Sequence, residues 1–116
     1  MKHLSKKDIL SAPSGKTVSF EVPEWGGEVS VKSLNVRERD ELGKIISDAN
    51  DKGDNATILL AIIALTLVDK EGNQLFTSEE AEALADKSAT TIENIAMEAL
   101  KINGLGDKAV EEAEKN

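Results

Sequence analysis

Early in the chain, apolar and polar residues alternate. Thr17-Val-Ser-Phe-Glu-Val22 places Val18, Phe20 and Val22 on one face, and Glu28-Val-Ser-Val-Lys32 does the same with Val29 and Val31. Successive strand side chains point to opposite faces, so both segments read as half-buried strands. Pro23-Glu-Trp-Gly-Gly27 joins them, with two glycines free to take positive φ. A β-hairpin with Trp25 at its tip is predicted. Two strands alone are marginal in water, so the hairpin must pack on helices or pair with another chain.

From Asn35 the period becomes helical. Leu42, Ile45, Ile46 and Ala49 fall on one stripe, behind an Asn35-Val-Arg-Glu38 start with the spacing of a capping box. After Asp51-Lys-Gly-Asp-Asn55, with Asp54 or Asn55 as cap, Ala56–Val68 is apolar on all sides apart from two threonines. Such a helix is either central to the fold or covered by another subunit. Asp69-Lys-Glu-Gly-Asn73 reads as a turn and Thr77-Ser-Glu-Glu80 as an N-cap with acids in the first turn, leading a short helix through Ala81, Leu84 and Ala85. Ser88 starts a further helix whose stripe is Ile92, Ile95, Ala96, Ala99 and Leu100, and Gly104 after Asn103 ends it. Before the hairpin, Ser5 and Asp8 bracket the start of a short helix whose apolar content is Ile9 and Leu10, and Pro13-Ser-Gly15 breaks the chain. The predicted class is α+β and mostly helical: an N-terminal β-hairpin followed by about four α-helices. The expected organisation is one domain over residues 1–106 and a frayed or disordered acidic tail over 107–116.

With 116 residues, one Trp, two Phe and no Tyr or Cys, the core must be built from Leu, Ile, Val and Ala. The missing cysteines exclude disulfides, thiol nucleophiles and thiolate metal sites, and fit a reducing compartment. Met1–Ser11 has no apolar run of the signal-peptide kind. The longest uncharged run, Asn55–Val68, is 14 residues, short of the roughly 20 a membrane span needs. The expectation is a soluble cytoplasmic protein without membrane association. The net charge of −8 is uneven. Lys2, Lys6, Lys7 and Lys16 against Asp8 leave residues 1–16 with a surplus of three positive charges, so residues 17–116 sum to −11. An acidic chain repels phosphate backbones, which argues against nucleic acid as a partner.

Catalytic chemistry has little to stand on. His3 is the lone histidine and sits near the chain start, where nothing holds an imidazole for a relay or a metal. The acidic turns at Asp51–Asn55 and Asp69–Asn73 lack the spacing of a calcium loop, and no phosphate-cradling glycine motif is present. No enzyme activity, cofactor or metal is expected. Three residues remain as candidate partner contacts. Trp25 either folds back as a core plug or stands exposed as the anchor of a binding hot spot. Arg37 and Arg39, the two arginines, either pair with Glu38, Asp40 and Glu41 on the surface or touch a partner.

Across most of its length the chain resembles the tail assembly chaperones of long-tailed, non-contractile bacteriophages and prophages. The likeness is carried in order by Lys6-Lys-Asp-Ile-Leu10, Val22-Pro-Glu-Trp-Gly-Gly27 running into Val29-Ser-Val-Lys32, and Leu34 with Arg37-Glu-Arg-Asp40. It continues through Leu67-Val-Asp69…Leu75-Phe76-Thr77 and Leu100-Lys-Ile-Asn-Gly-Leu105. The resemblance implies a non-enzymatic assembly factor in the host bacterial cytoplasm, absent from the mature virion. Its partners would be the tape-measure protein and the tail-tube protein. Separately, an all-apolar helix in so small a domain suggests surface hidden against copies of itself or a client, so a homo-oligomer is expected. The resemblance also implies that this chain corresponds to the short form of a family that has frameshift-extended members. Trp25, Arg37 and Arg39 match the family's recurrent motif. Two readings from other classes stand beside it: a structural minor tail or head–tail joining protein of the virion, and a small acidic regulatory adaptor.

Overall fold

The computed structural model describes residues 1–105. In chain order it contains α1 (Lys6–Ser11), β1 (Thr17–Val22), β2 (Gly27–Lys32), α2 (Val36–Lys52), α3 (Asn55–Thr66), β3 (Leu67–Val68), α4 (Ser78–Ala81) and α5 (Ala89–Ile102). Short 3-10 turns occupy Pro23–Trp25 and Glu82–Asp86. The architecture is α+β and mostly helical, with four α-helices after the hairpin among the described residues, as its patterning predicts. The tail expected over residues 107–116 lies outside the described residues.

β1 and β2 pair antiparallel, with Val18 opposite Val31 and Phe20 opposite Val29. The inner face thus carries the apolar set read from the period-2 pattern, while Ser19 and Ser30 face each other outside with their hydroxyls 2.7 Å apart. Two features depart from expectation. The short helix read through Ala85 gives way to a 3-10 turn after Ala81. The helix predicted through Val68 ends at Thr66, and Leu67–Val68 becomes a third strand against Val31 and Ser30. A fully apolar run gives no period to mark the switch, but hydrogen bonding does. Leaving the helix lets Leu67 and Val68 satisfy backbone groups of β2 that would otherwise lie unpaired beside the core. The carbonyl of Ala64, orphaned by that exit, accepts from Gln74 Nε2 at 2.9 Å.

α3 is the centre of the molecule. Every residue from Leu60 to Thr66 is buried, between α2 on one side and α5 and α4 on others. Thr66 is tolerated because its hydroxyl donates to the Ile62 carbonyl at 2.6 Å. Of the two explanations for an all-apolar helix, the one realised is burial within this chain. α5 contributes Ile92, Ile95, Ala96 and Ala99, and α2 contributes Leu42 and Ala49. The sheet closes one side with Val22, Val31 and Leu67.

The ends of the elements are fixed by their own side chains. Ser5 with Asp8, Asn35 with Glu38 and Thr77 with Glu80 form reciprocal capping boxes. Asp54 caps α3 through the Thr57 N–H at 3.1 Å. Gly53 and Gly104, both at positive φ, close α2 and α5. At each, the next residue's N–H reaches back across the last turn: Asp54 to Ala49 and Leu105 to Leu100, both at 2.8 Å.

These caps make stability depend on acidity. Backbone and side-chain bonds from Ser5 hold the Asp8 carboxyl below its ordinary 3.8, and those from Thr57 do the same for Asp54. The Asn73 N–H lowers Asp69. Burial pushes Glu38 up, but the bonds from Lys32 and from the Asn35 N–H outweigh it and leave Glu38 below its ordinary 4.5. A carboxyl that binds its proton less readily when folded stabilises the fold above its unfolded pKa, and that contribution is lost as pH falls through the folded pKa. The melting temperature is therefore expected to be flat above about pH 5 and to drop progressively on further acidification. Thermal melts followed by circular dichroism check this. A melting temperature that climbs in acid would contradict it, and Glu38→Gln is expected to flatten the drop.

Candidate functional site

The hairpin tip is built by Pro23, which starts the 3-10 turn, and by Gly26, whose φ of 70° lets its N–H close back on the Pro23 carbonyl at 3.1 Å. That turn stands Trp25 out with 40% of its surface exposed. Of its two readings, the core plug is not realised. Glu24 beside it accepts from the Thr91 hydroxyl at 3.1 Å, which ties the tip to the start of α5. Glu21 and Glu28 are directly opposite each other on the outer face of the hairpin. Like charges at such a pair repel. Among the described residues none of Glu21, Glu24 and Glu28 forms an ion pair. The tip therefore carries an exposed indole with three carboxylates within four positions of it along the chain, none of them in an ion pair among the described residues.

Arg37 and Arg39 sit in the first turns of α2, at the other end of β2. Both are exposed. The surface ion pairs expected for them do not form among the described residues. Lys32 of β2 takes Glu38 at 2.7 Å, and Lys44, one helical turn on, takes Asp40 at 3.2 Å. Glu38 and Asp40 are thus held by lysines, while Glu41, four residues after Arg37 and so a neighbour of it on the helix surface, forms no ion pair among the described residues. Arg39 lines a shallow open groove on the outer face of α2 with Val36, Gly43 and Ser47. Val36 is 87% exposed. Gly43 is a mid-helix glycine whose absent Cβ would meet nothing within 4 Å, so its cost of about 1 kcal/mol against alanine brings no packing gain within the chain.

The three candidate residues are not one site. β2 spans six residues, which at ~3.3 Å each separates the tip from the base by ~20 Å. Trp25 belongs to an acidic apolar tip, and the arginines belong to a basic, grooved base.

Sequence reasoning missed two features. Leu4, Ile9 and Leu10 are exposed, because α1 is too short to bury a face. Asn103, read only as part of a helix stop, uses its side chain to join α5 to the β2–α2 connection: Oδ1 accepts from the Leu34 N–H at 2.6 Å, and Nδ2 donates to the Ala99 carbonyl at 2.8 Å and to that of Lys32 at 3.4 Å. Its partners lie up to 71 positions away, where no local signal reaches.

His3 is exposed. Among the described residues no group of three or more His, Asp or Glu could hold a metal, and no helix is long and apolar enough to cross a membrane. Asp69 spends its carboxylate on its own turn, accepting from the Glu71 and Asn73 N–H groups at 2.9 Å each.

No family model matches the sequence, and no curated protein matches it. Among solved structures, the tail assembly chaperone of bacteriophage HK97 superposes on it with a TM-score of 0.61 at 17% identity, covering 83% of this chain and 90% of that one. The chain thus has the fold of a phage tail assembly chaperone, the fold its ordered motifs resemble.

Proposed function

We propose that this chain is a non-enzymatic tail assembly chaperone. It binds the tape-measure protein and the tail-tube protein in the bacterial cytoplasm while the tail is built, associates with further copies of itself, and is left out of the finished virion. The observation that carries this reading is the likeness in fold to the HK97 chaperone over most of both chains. Exposed apolar residues on an acidic surface support it. Val36, Trp25 and Leu75 offer contact area, while the net negative charge keeps a client complex soluble.

Arg37 and Arg39 engage the client. They are exposed and form no ion pair among the described residues, and Arg39 lines the shallow open groove on α2. Trp25 contacts a protein partner at the other end of the hairpin. The test is co-expression with the tape-measure protein of the same genome. Wild-type chain is expected to raise the client's soluble fraction and to co-elute with it. Arg37→Glu with Arg39→Glu is expected to weaken that complex by about tenfold, the loss of one hot-spot contact, with unchanged circular dichroism. A client that stays insoluble and uncomplexed beside the wild-type chain would overturn the proposal. Stoichiometric copies of the chain in purified particles would favour a structural role in the virion instead.

A further inference from the structure

The N-terminal segment does not belong to the packed body. No residue of α1 is buried, and Leu4, Ile9 and Leu10 are 56%, 59% and 77% exposed. The segment leaves the body at a fixed pivot. Lys16 N–H donates to Ser33 Oγ and Ser33 N–H to the Lys16 carbonyl, both at 2.8 Å. Gly15 beside them has a φ of 90°, and a Cβ there would collide with Ser33 Oγ. Beyond that anchor lie Pro13 and a short helix carrying apolar and basic side chains together.

The charge of this arm is opposite to that of everything it is attached to. Residues 1–16 hold a surplus of three positive charges against −11 in the rest of the chain. Lys2 pairs with the arm's own Asp8 at 3.6 Å, while Lys6, Lys7 and Lys16 form no ion pair among the described residues. The surface with the complementary character is the hairpin tip, which carries the exposed Trp25 and, within four positions of it along the chain, Glu21, Glu24 and Glu28, none in an ion pair among the described residues. An apolar helix with a lysine rim suits an indole rimmed by carboxylates: ring and aliphatic side chains exclude water, and the charges fix orientation. In its own chain the arm departs from the base of the hairpin, ~20 Å from that tip, and is not docked there.

We propose that residues 1–16 are a docking arm that binds the Trp25 tip of a second copy of this chain. The contact joins the base of one hairpin to the tip of the next, so it uses two different surfaces and propagates from copy to copy. This assignment rests on the self-association stated above and names the surfaces that produce it.

Sedimentation velocity of the full chain over a wide concentration range, at low and high salt, tests it. The wild-type average mass is expected to rise with concentration and to fall with salt, because the facing charges are screened. Leu10→Asp, and separately Lys6→Glu with Lys7→Glu, are expected to weaken association by about tenfold or more. Glu21→Lys with Glu28→Lys is expected to do the same. Combining the two charge reversals in one chain restores opposite signs and is expected to recover association, which a merely structural role of either surface would not produce. Circular dichroism of each variant confirms the fold.

If the wild-type chain is a monomer throughout, self-association and the arm assignment fall together. If the wild type associates and the arm variants associate equally well, the arm assignment alone is wrong. If the arm variants keep self-association but lose client solubilisation in co-expression, the arm serves the client and the assignment is again wrong. Failure of client solubilisation by a wild-type chain that associates through its arm would remove the chaperone function and leave this interface standing.

Discussion

Ile63→Ala is expected to lower the unfolding free energy by about 3 kcal/mol, and Ile95→Ala by a similar amount. Both side chains are 1% exposed, and they lie on α3 and α5, which pack on each other. Truncation removes three carbons' worth of transfer energy and leaves a cavity that two anchored helices cannot collapse to fill. Small domains have only about 5–15 kcal/mol in total, so either change moves a large share of the population toward the unfolded state. Urea denaturation followed by circular dichroism measures the loss, with an unchanged slope showing that the unfolded state is the same. The contrast is Ile9→Ala in the exposed arm, expected within about 0.5 kcal/mol of wild type. A loss below about 1 kcal/mol at Ile63 would mean that α3 is not the centre of the fold.

Asn103→Ala is the second large effect, about 2 kcal/mol. The side chain closes a three-way junction, and its removal leaves the half-buried Leu34 N–H with no acceptor. An unsatisfied donor of this kind is worse than a lost neutral bond, because the group was desolvated on folding and receives nothing in return. Asn103→Asp keeps an acceptor for Leu34 but cannot donate to Ala99 and Lys32, so its loss should be intermediate. Urea denaturation gives the magnitude. Hydrogen exchange gives the place: the Leu34 amide is expected to lose protection in Asn103→Ala while the amides of α3 follow only the global change. Undiminished protection at Leu34 would show that the Asn103 side chain is not what protects that amide.

Much of this fold could be read from the chain alone where the physics is local. The hairpin was legible because period-2 alternation across Thr17–Val22 and Glu28–Lys32 leaves one face apolar in one register only. The capping boxes at Ser5, Asn35 and Thr77 were legible because reciprocal bonds three residues apart need nothing from the rest of the molecule. β3 was not legible. Leu67 and Val68 continue an apolar run, and their change from helix to strand is decided by Val31 and Ser30, far back in the chain. The same limit governs the arginines. Sequence proximity suggested Glu38, Asp40 and Glu41 as partners, but Lys32 arrives from β2 to take the first, Lys44 from the next helical turn takes the second, and the third forms no ion pair among the described residues. Candidate contact residues could thus be named one by one, while their division between two ends of a strand could not.

That division has an electrostatic consequence. At physiological ionic strength a charge is felt over about 8 Å, and the length of β2 exceeds twice that distance. The carboxylates around Trp25 and the guanidinium groups of Arg37 and Arg39 are therefore insulated from one another by solvent. Filling one end neither attracts nor repels what arrives at the other, so a molecule already engaged with a neighbour is as ready for its second partner as a solitary one.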